Sequence, residues 1–205
     1  MAHAIGNGNG DTLGDVNTPP QLKQCVALLL DKGIRVCVFD MDQTAVAAHS
    51  HGRLKRGAPL EHYLSRVSPD FQALVPLLHR HQIHLAIATH SDELEYGGHV
   101  QPTTHILGTE LAQTMIRATF PPDIAEAFFV VAYNPRVRKA EEEYAFKRYH
   151  MREIQRHFGV QLHELLFFDD VPSIVEDCQQ TSGVIAVCVH AHVGFRLDDL
   201  MKNLA

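Results

Sequence analysis

The chain has 205 residues, 45% hydrophobic and 20% charged, with a formal net charge of -6. That is enough for one domain with a substantial core and at most a small insertion, and the acidic balance argues against nucleic acid as a partner. No apolar run approaches the ~20 residues of a membrane helix, so no membrane partner is expected.

Residues 1–20, MAHAIGNGNGDTLGDVNTPP, have no basic segment followed by an apolar stretch and do not read as a signal peptide. Their Gly, Asn and Pro content predicts a disordered lead-in, with the folded domain over 21–205. Helical periodicity over 21–30 stops near Gly33. IRVCVF (34–39) is a β-branched run ending at Asp40, which reads as a strand buried on both faces. Residues 45–68 are polar and punctuated by Gly52, Gly57 and Pro59, predicting a loop with a short helix. An amphipathic helix follows over 70–81, then a strand, IHLAIA (83–88), ending at Thr89. Residues 109–118 look helical, AFFVVAY (127–133) is a third strand, and 138–158 is a long helical stretch closed by Gly159. LLFF (165–168) is a fourth strand, ending at Asp169. A short helix (173–180), a fifth strand (184–189) and a closing helix (195–203) complete the pattern.

Strands separated by helices imply parallel pairing with right-handed crossovers. The predicted fold class is therefore α/β: a doubly wound parallel sheet of about five strands, helices on both faces and no large cap domain. Ligands in such sheets bind outside the carboxyl ends of the strands. The chemically interesting residues fall there: Asp40 and Asp42 after the first strand, Thr89 and Ser91 after the second, Asp169 and Asp170 after the fourth.

The two carboxylates of Asp40-Met41-Asp42-Gln43-Thr44 can project toward one site, where they repel unless a cation or proton compensates. A second pair, Asp169-Asp170, makes four carboxylates at two strand ends, which is expensive without a metal. Mg²⁺ suits such a set because it takes carboxylate and water oxygens plus a substrate phosphate. Either pair alone also fits a turn or helix cap. The Thr89 hydroxyl and the main-chain N–H groups behind it, at His90, suit phosphate oxygens. Lys147 can bridge a phosphate and a carboxylate; Arg136, Arg138, Lys139 and Arg148 compete for that role, Lys139 first. The four cysteines, Cys25, Cys37, Cys178 and Cys188, form no CxxC pair, and Cys37 and Cys188 sit in apolar runs. They read as buried reduced thiols, which favours a reducing, cytoplasmic compartment. The fifteen histidines show no strong metal spacing.

The order of these motifs resembles the haloacid dehalogenase (HAD) superfamily. VFDMDQT is similar to its motif I, IATHS to motif II, KRYHM from Lys147 to motif III, and LLFFDD to motif IV; together they span 34 to about 190. The resemblance implies a magnesium-dependent phosphomonoester hydrolase. Asp40 would be the nucleophile that forms an aspartyl-phosphate, and Asp42 the general acid and base. Thr89, His90 and Lys147 would hold the phosphate. Asp40, Asp42 (through its main-chain carbonyl) and Asp170 would bind Mg²⁺, supported by Asp169 and Thr44. Asp42 separates this pattern from the dehalogenases, which lack an acid there, and Met-Asp-Gln-Thr separates it from the transport ATPases, which carry Lys-Thr-Gly.

The intervals between motifs leave no room for a large cap, as in the small capless magnesium-dependent phosphatases. The surplus segment 93–108 forms a surface loop or a mobile lid. An open site fits a phosphorylated small molecule or a phosphoprotein and argues against a phosphomutase. The basic run Arg53-Leu54-Lys55-Arg56 is a solvated loop or a contact for a polyanionic substrate. A non-catalytic phosphate- or protein-binding module and a phosphotransferase are the alternative functions.

Overall fold

The computed structural model describes residues 18–97 and 99–204. Most of the expected lead-in, residues 1–17, lies outside them. The first helix, α1 (Pro20–Asp31), places Pro20 where a missing N–H costs nothing, and Gly33 ends it at φ +72°. In chain order there follow β1 (Val36–Phe39), β2 (Arg53–Lys55), α2 (Glu61–Leu64), α3 (Pro69–Arg80), β3 (His84–Thr89), β4 (His105–Leu107), α4 (Gly108–Thr119), α5 (Pro122–Glu126) and β5 (Phe128–Ala132). The last five are α6 (Arg148–Phe158), β6 (Leu165–Asp169), α7 (Pro172–Asp177), β7 (Ile185–Cys188) and α8 (Leu197–Leu204).

Five strands form one parallel sheet in the order β5-β3-β1-β6-β7. The chain winds outward from β1 to β3 and β5, then returns to place β6 on the other side of β1. The winding therefore reverses between β1 and β6, the place where such sheets bind ligands. Alternate residues face opposite layers. Cys37, Phe39, Ile87 and Phe168 pack with α1, α3, α4 and α8, whereas Val36, Val38, Ala88 and Phe167 pack with α6 and α7. Phe39 anchors the first layer, stacked on Phe168 at 5.0 Å and edge-on to Phe71 at 4.9 Å.

Three expectations need correction. Residues 53–55 and 105–107, both read as loop, pair antiparallel as β2 and β4, a two-stranded flap beside the main sheet. Strands of three residues are too short for alternation to reveal, and only their mutual pairing satisfies the main chain. The flap takes the basic run: Arg53–Lys55 is β2, and Arg56 binds Glu110 with both guanidinium nitrogens. The long helix over 138–158 is helical only from Arg148. Before it lie a 3₁₀ turn, Glu142–Tyr144, and left-handed residues Lys139 (φ 49°) and Phe146 (φ 53°). Burial of Lys147 at the site overrides the helical propensity of that run. Finally, Cys25, Cys37 and Cys178 are buried thiols, but Cys188 is exposed.

Among the described residues no helix is long and apolar enough to cross a membrane.

Candidate active site

The strand register decides which carboxylates meet. The Asp40 N–H donates to Phe168 O at 2.9 Å, extending the β1–β6 ladder by one step and setting Asp40 beside Asp169. Asp40 falls on the same face as Val36 and Val38, the face covered by α6. At the start of α6 the fully buried Lys147 reaches back. Its Nζ donates to Asp40 Oδ1 at 2.7 Å and to Ala88 O at 2.5 Å. The competing cations are engaged elsewhere or set apart: Arg138 on Asp92, Arg148 on Asp177, and Arg136 and Lys139 on another cavity.

A cavity of about 370 Å³ opens over this edge, and Asp40, Asp42, Thr89, Lys147, Asp169 and Asp170 all line it. The structure thus gathers every strand-end group singled out in the sequence except the Thr44 side chain. Thr44 Oγ1 is buried without a partner among the described residues. Its carbonyl instead accepts from Phe195 N at 2.8 Å, docking the segment before α8. Gly194 is required there, since a Cβ would lie 2.9 Å from that carbonyl and φ is +78°.

Three carboxyl groups are strained by this crowding. Asp40 is pushed up to about 6, burial outweighing the Lys147 ammonium beside it. Asp169 is raised well above the usual carboxylate range, by burial first and the Asp40 charge second. Asp170 is raised as well, mainly by burial. Asp169 Oδ1 accepts from Val171 N at 2.9 Å, while its Oδ2 is buried and has no partner among the described residues. Gln43, held at φ 60°, donates to Asp170 Oδ2 at 3.3 Å.

Among the described residues no three His, Cys, Asp or Glu side chains form a ready metal cage. The donor set nonetheless suits a hard divalent cation that keeps waters and a substrate phosphate in its shell. It comprises the carboxylates of Asp40 and Asp170, the main-chain carbonyl of Asp42 and the orphaned oxygen of Asp169. A cation there would relieve three raised carboxyl groups at once.

Asp42 itself is arranged differently. Its Oδ1 accepts from Tyr63 Oη at 2.7 Å, and its Oδ2 takes Ser50 N at 2.9 Å and Ser50 Oγ at 2.8 Å. His49 Nδ1 lies 2.7 Å from the same Oδ2, and the His49 ring stacks on His51 at 4.5 Å. Three donors meet Oδ2 and only Tyr63 meets Oδ1, so the side chain is held in place while still lining the cavity, and the main-chain carbonyl is the Asp42 oxygen offered to a metal. Sequence reading missed Gln43, His49, Ser50 and Tyr63 as functional candidates. The His49/His51 pair was visible, but nothing in the sequence tied it to Asp42, and Tyr63 lies 21 residues away.

Thr89 Oγ1 accepts from Ser91 N at 3.2 Å, which leaves its O–H to donate into the cavity. His90 does not act as a cation. Burial first, and then the Lys147 charge, lower its pKa to about 3, and its Nε2–H is spent on Phe146 O at 2.9 Å. Only the His90 main-chain N–H is left for a phosphate. His150, buried beneath, donates from Nε2 to Thr89 O at 2.9 Å. Ser91 ties this strand end to the flap, donating to Gly52 O and accepting from Gly108 N at 2.6 Å. The end of the 93–108 segment, from His105 to Gly108, is thereby tied to the flap.

A sheet edge that buries an Asp–Lys pair between β1 and α6, with an Asp-Asp pair on the next strand, decides the architecture. The fold is that of the HAD superfamily. Two solved structures agree with it. The N-terminal part of the protein BF1531 from Bacteroides fragilis, containing a phosphatase domain complexed with Mg, superposes with a TM-score of 0.53 at 16% identity. It matches over 88% of this chain and 42% of its own. DsGPDH of Dunaliella salina gives 0.52 at 17% identity, over 88% of this chain and 30% of its own. The chain thus spans less than half the length of either structure. No family model and no curated protein matches the sequence.

Proposed function

We propose that this HAD-type chain is a magnesium-dependent phosphomonoester hydrolase that works through an aspartyl-phosphate on Asp40. The observation that carries the reading is the buried Lys147–Asp40 pair at 2.7 Å, facing a cavity shared with Thr89 and Asp170. A lysine fully buried against one carboxylate holds that carboxylate still and leaves its second oxygen, Oδ2, free to attack.

In the first half-reaction Asp40 Oδ2 bonds to phosphorus and the bond to the ester oxygen breaks. The departing alkoxide takes a proton from Asp42. In the second, Asp42 takes a proton from water, the resulting hydroxide bonds to phosphorus, and the Asp40–phosphorus bond breaks. Inorganic phosphate leaves and Asp40 is restored as a carboxylate. The Thr89 hydroxyl, the His90 main-chain N–H and the Lys147 ammonium hold the phosphoryl oxygens as charge moves across them. Mg²⁺, when bound by Asp40, Asp170 and the Asp42 carbonyl, supplies positive charge to the phosphoryl oxygens. Tyr63 and Ser50 keep Asp42 in place. His49, half exposed, links the Asp42 carboxyl to solvent and can pass it a proton.

Turnover of 4-nitrophenyl phosphate with MgCl₂ or with chelator tests the proposal. Activity should need the metal and vanish in Asp40→Asn. Equal turnover in chelator, or a fully active Asp40→Asn protein, overturns it.

A further inference from the structure

The site continues past His90. A second cavity of about 710 Å³ adjoins the first, and His90, Asn134, Val171 and Ile174 line both. The electrostatic character reverses across that boundary. Asp40, Asp42, Asp169, Asp170 and Glu95 line the first cavity. No Asp or Glu lines the second, which carries Arg136 and Lys139 instead. Among the described residues neither of these side chains has an ion-pair partner, although the neighbouring cations along the chain are paired, Arg138 with Asp92, Lys147 with Asp40 and Arg148 with Asp177. Leaving two cations together at one cavity is notable in a chain of net charge -6.

Apart from Ser173, the remaining wall is apolar, formed by Pro135, Ala140, Ala145, Phe146, Val171 and Ile174. Phe146 is 41% exposed although it is a large aromatic residue, and it sits in the left-handed region at φ 53°. That conformation costs about 1–2 kcal/mol for an L-residue, and the hydrogen bond from His90 Nε2 to the Phe146 carbonyl helps hold it. The ring is thereby displayed at the junction of the two cavities, one residue before Lys147.

We propose that the second cavity is the leaving-group subsite and that the substrate's leaving group is an apolar, aryl-sized body ending in a second anion, held by Arg136 and Lys139. This rests on the phosphatase reading of the first cavity. The terminal anion is a carboxylate or a second phosphate. Arg offers a planar fork and Lys a mobile point charge, a pair that accepts either.

The test compares three esters on the full chain with MgCl₂: 4-(carboxymethyl)phenyl phosphate, its neutral amide, and 1,4-phenylene bisphosphate. At least one anionic ester should exceed the amide in kcat/KM by at least about fivefold, from charge-assisted hydrogen bonds made only to the anion. The Arg136→Gln/Lys139→Gln protein should bring that ratio to about one, through KM more than kcat. Both side chains are exposed, so the fold is not at stake. The anionic ester with the larger ratio identifies the terminal group. Equal kcat/KM for all three in an active wild-type protein overturns the subsite and leaves the phosphatase standing. If no ester is hydrolysed, the phosphatase reading fails, and the subsite is judged on binding of 4-hydroxyphenylacetate by NMR. Binding that is lost in the double variant supports it, and absence of binding overturns it.

Discussion

Asp40 and Asp42 stand two residues apart and are held by different parts of the molecule. Asp40 belongs to the carboxyl edge of the sheet, where a single buried lysine, brought in by the start of α6, takes one of its oxygens. Asp42 belongs to the flap side, where Tyr63, Ser50 and His49 crowd both oxygens at 2.7–2.9 Å. The core immobilises the proposed nucleophile, and a peripheral loop positions the proposed acid. A nucleophile needs one free oxygen in a fixed place. An acid–base group has to exchange protons with solvent, and in the proposed mechanism the half-exposed His49, 2.7 Å from Asp42 Oδ2, would be that route. The difference between the two regions is open to direct attack.

Asp40→Asn should have the largest effect. It removes the nucleophile, and turnover of 4-nitrophenyl phosphate should fall by roughly 10³-fold or more. Lys147→Ala comes next. It leaves the Asp40 charge buried and unpaired, so urea denaturation without metal should register a loss of about 3–5 kcal/mol. Turnover should drop together with stability. A variant that is stable but inactive would assign Lys147 to chemistry alone.

On the flap side the losses should be smaller. Tyr63→Phe and His49→Ala should each slow turnover by roughly tenfold, since each removes one of several contacts to Asp42. In an Asp42→Asn background neither change should matter further, because all three act through one carboxylate. Additive losses in the double variants would break the link between the flap and Asp42.

The smallest effect concerns pH. His150 is fully buried and its pKa is held well below the ordinary value, by burial first and the Lys147 charge second. His90 is lowered to about 3 for the same two reasons. A group whose folded pKa is depressed takes up protons in the unfolded chain first. Its effect on stability is therefore nil above the unfolded pKa of about 6.5 and grows as a penalty when the pH falls below it. The raised Asp40 and Asp169 work in the opposite direction between the ordinary carboxylate range and their folded values. His150→Gln keeps a donor for Thr89 O but cannot titrate. Its urea midpoint should change less than that of the wild-type protein on the acid side, between pH 7.5 and 6, where the histidine penalty begins. An unchanged pH difference would assign that slope to other groups.

Much of the sheet was legible because burial on both faces leaves a mark: apolar runs at 34–39, 83–88, 127–133, 165–168 and 184–189 each contain or overlap an observed strand. Strand-end chemistry was legible for the same reason, since a carboxylate that directly follows such a run has few places to go. The flap was not. β2 and β4 are three residues each, with Lys55 and His105 lying 50 positions apart, and neither has an apolar pattern of its own. The break in the 138–158 helix was equally hidden, because its cause is a partner, Asp40, 107 residues away.

The local pattern of apolar runs and the residues that close them determined by themselves a parallel α/β sheet and a line of carboxylates along one edge. Tertiary structure alone decided that Lys147, rather than four neighbouring cations, meets Asp40, and that Asp42 turns to Tyr63, Ser50 and His49. It also decided that Arg136 and Lys139 share a separate cavity. A periodic pattern is written residue by residue, whereas the choice of partner among similar charges depends on distances that exist only once the chain has closed on itself.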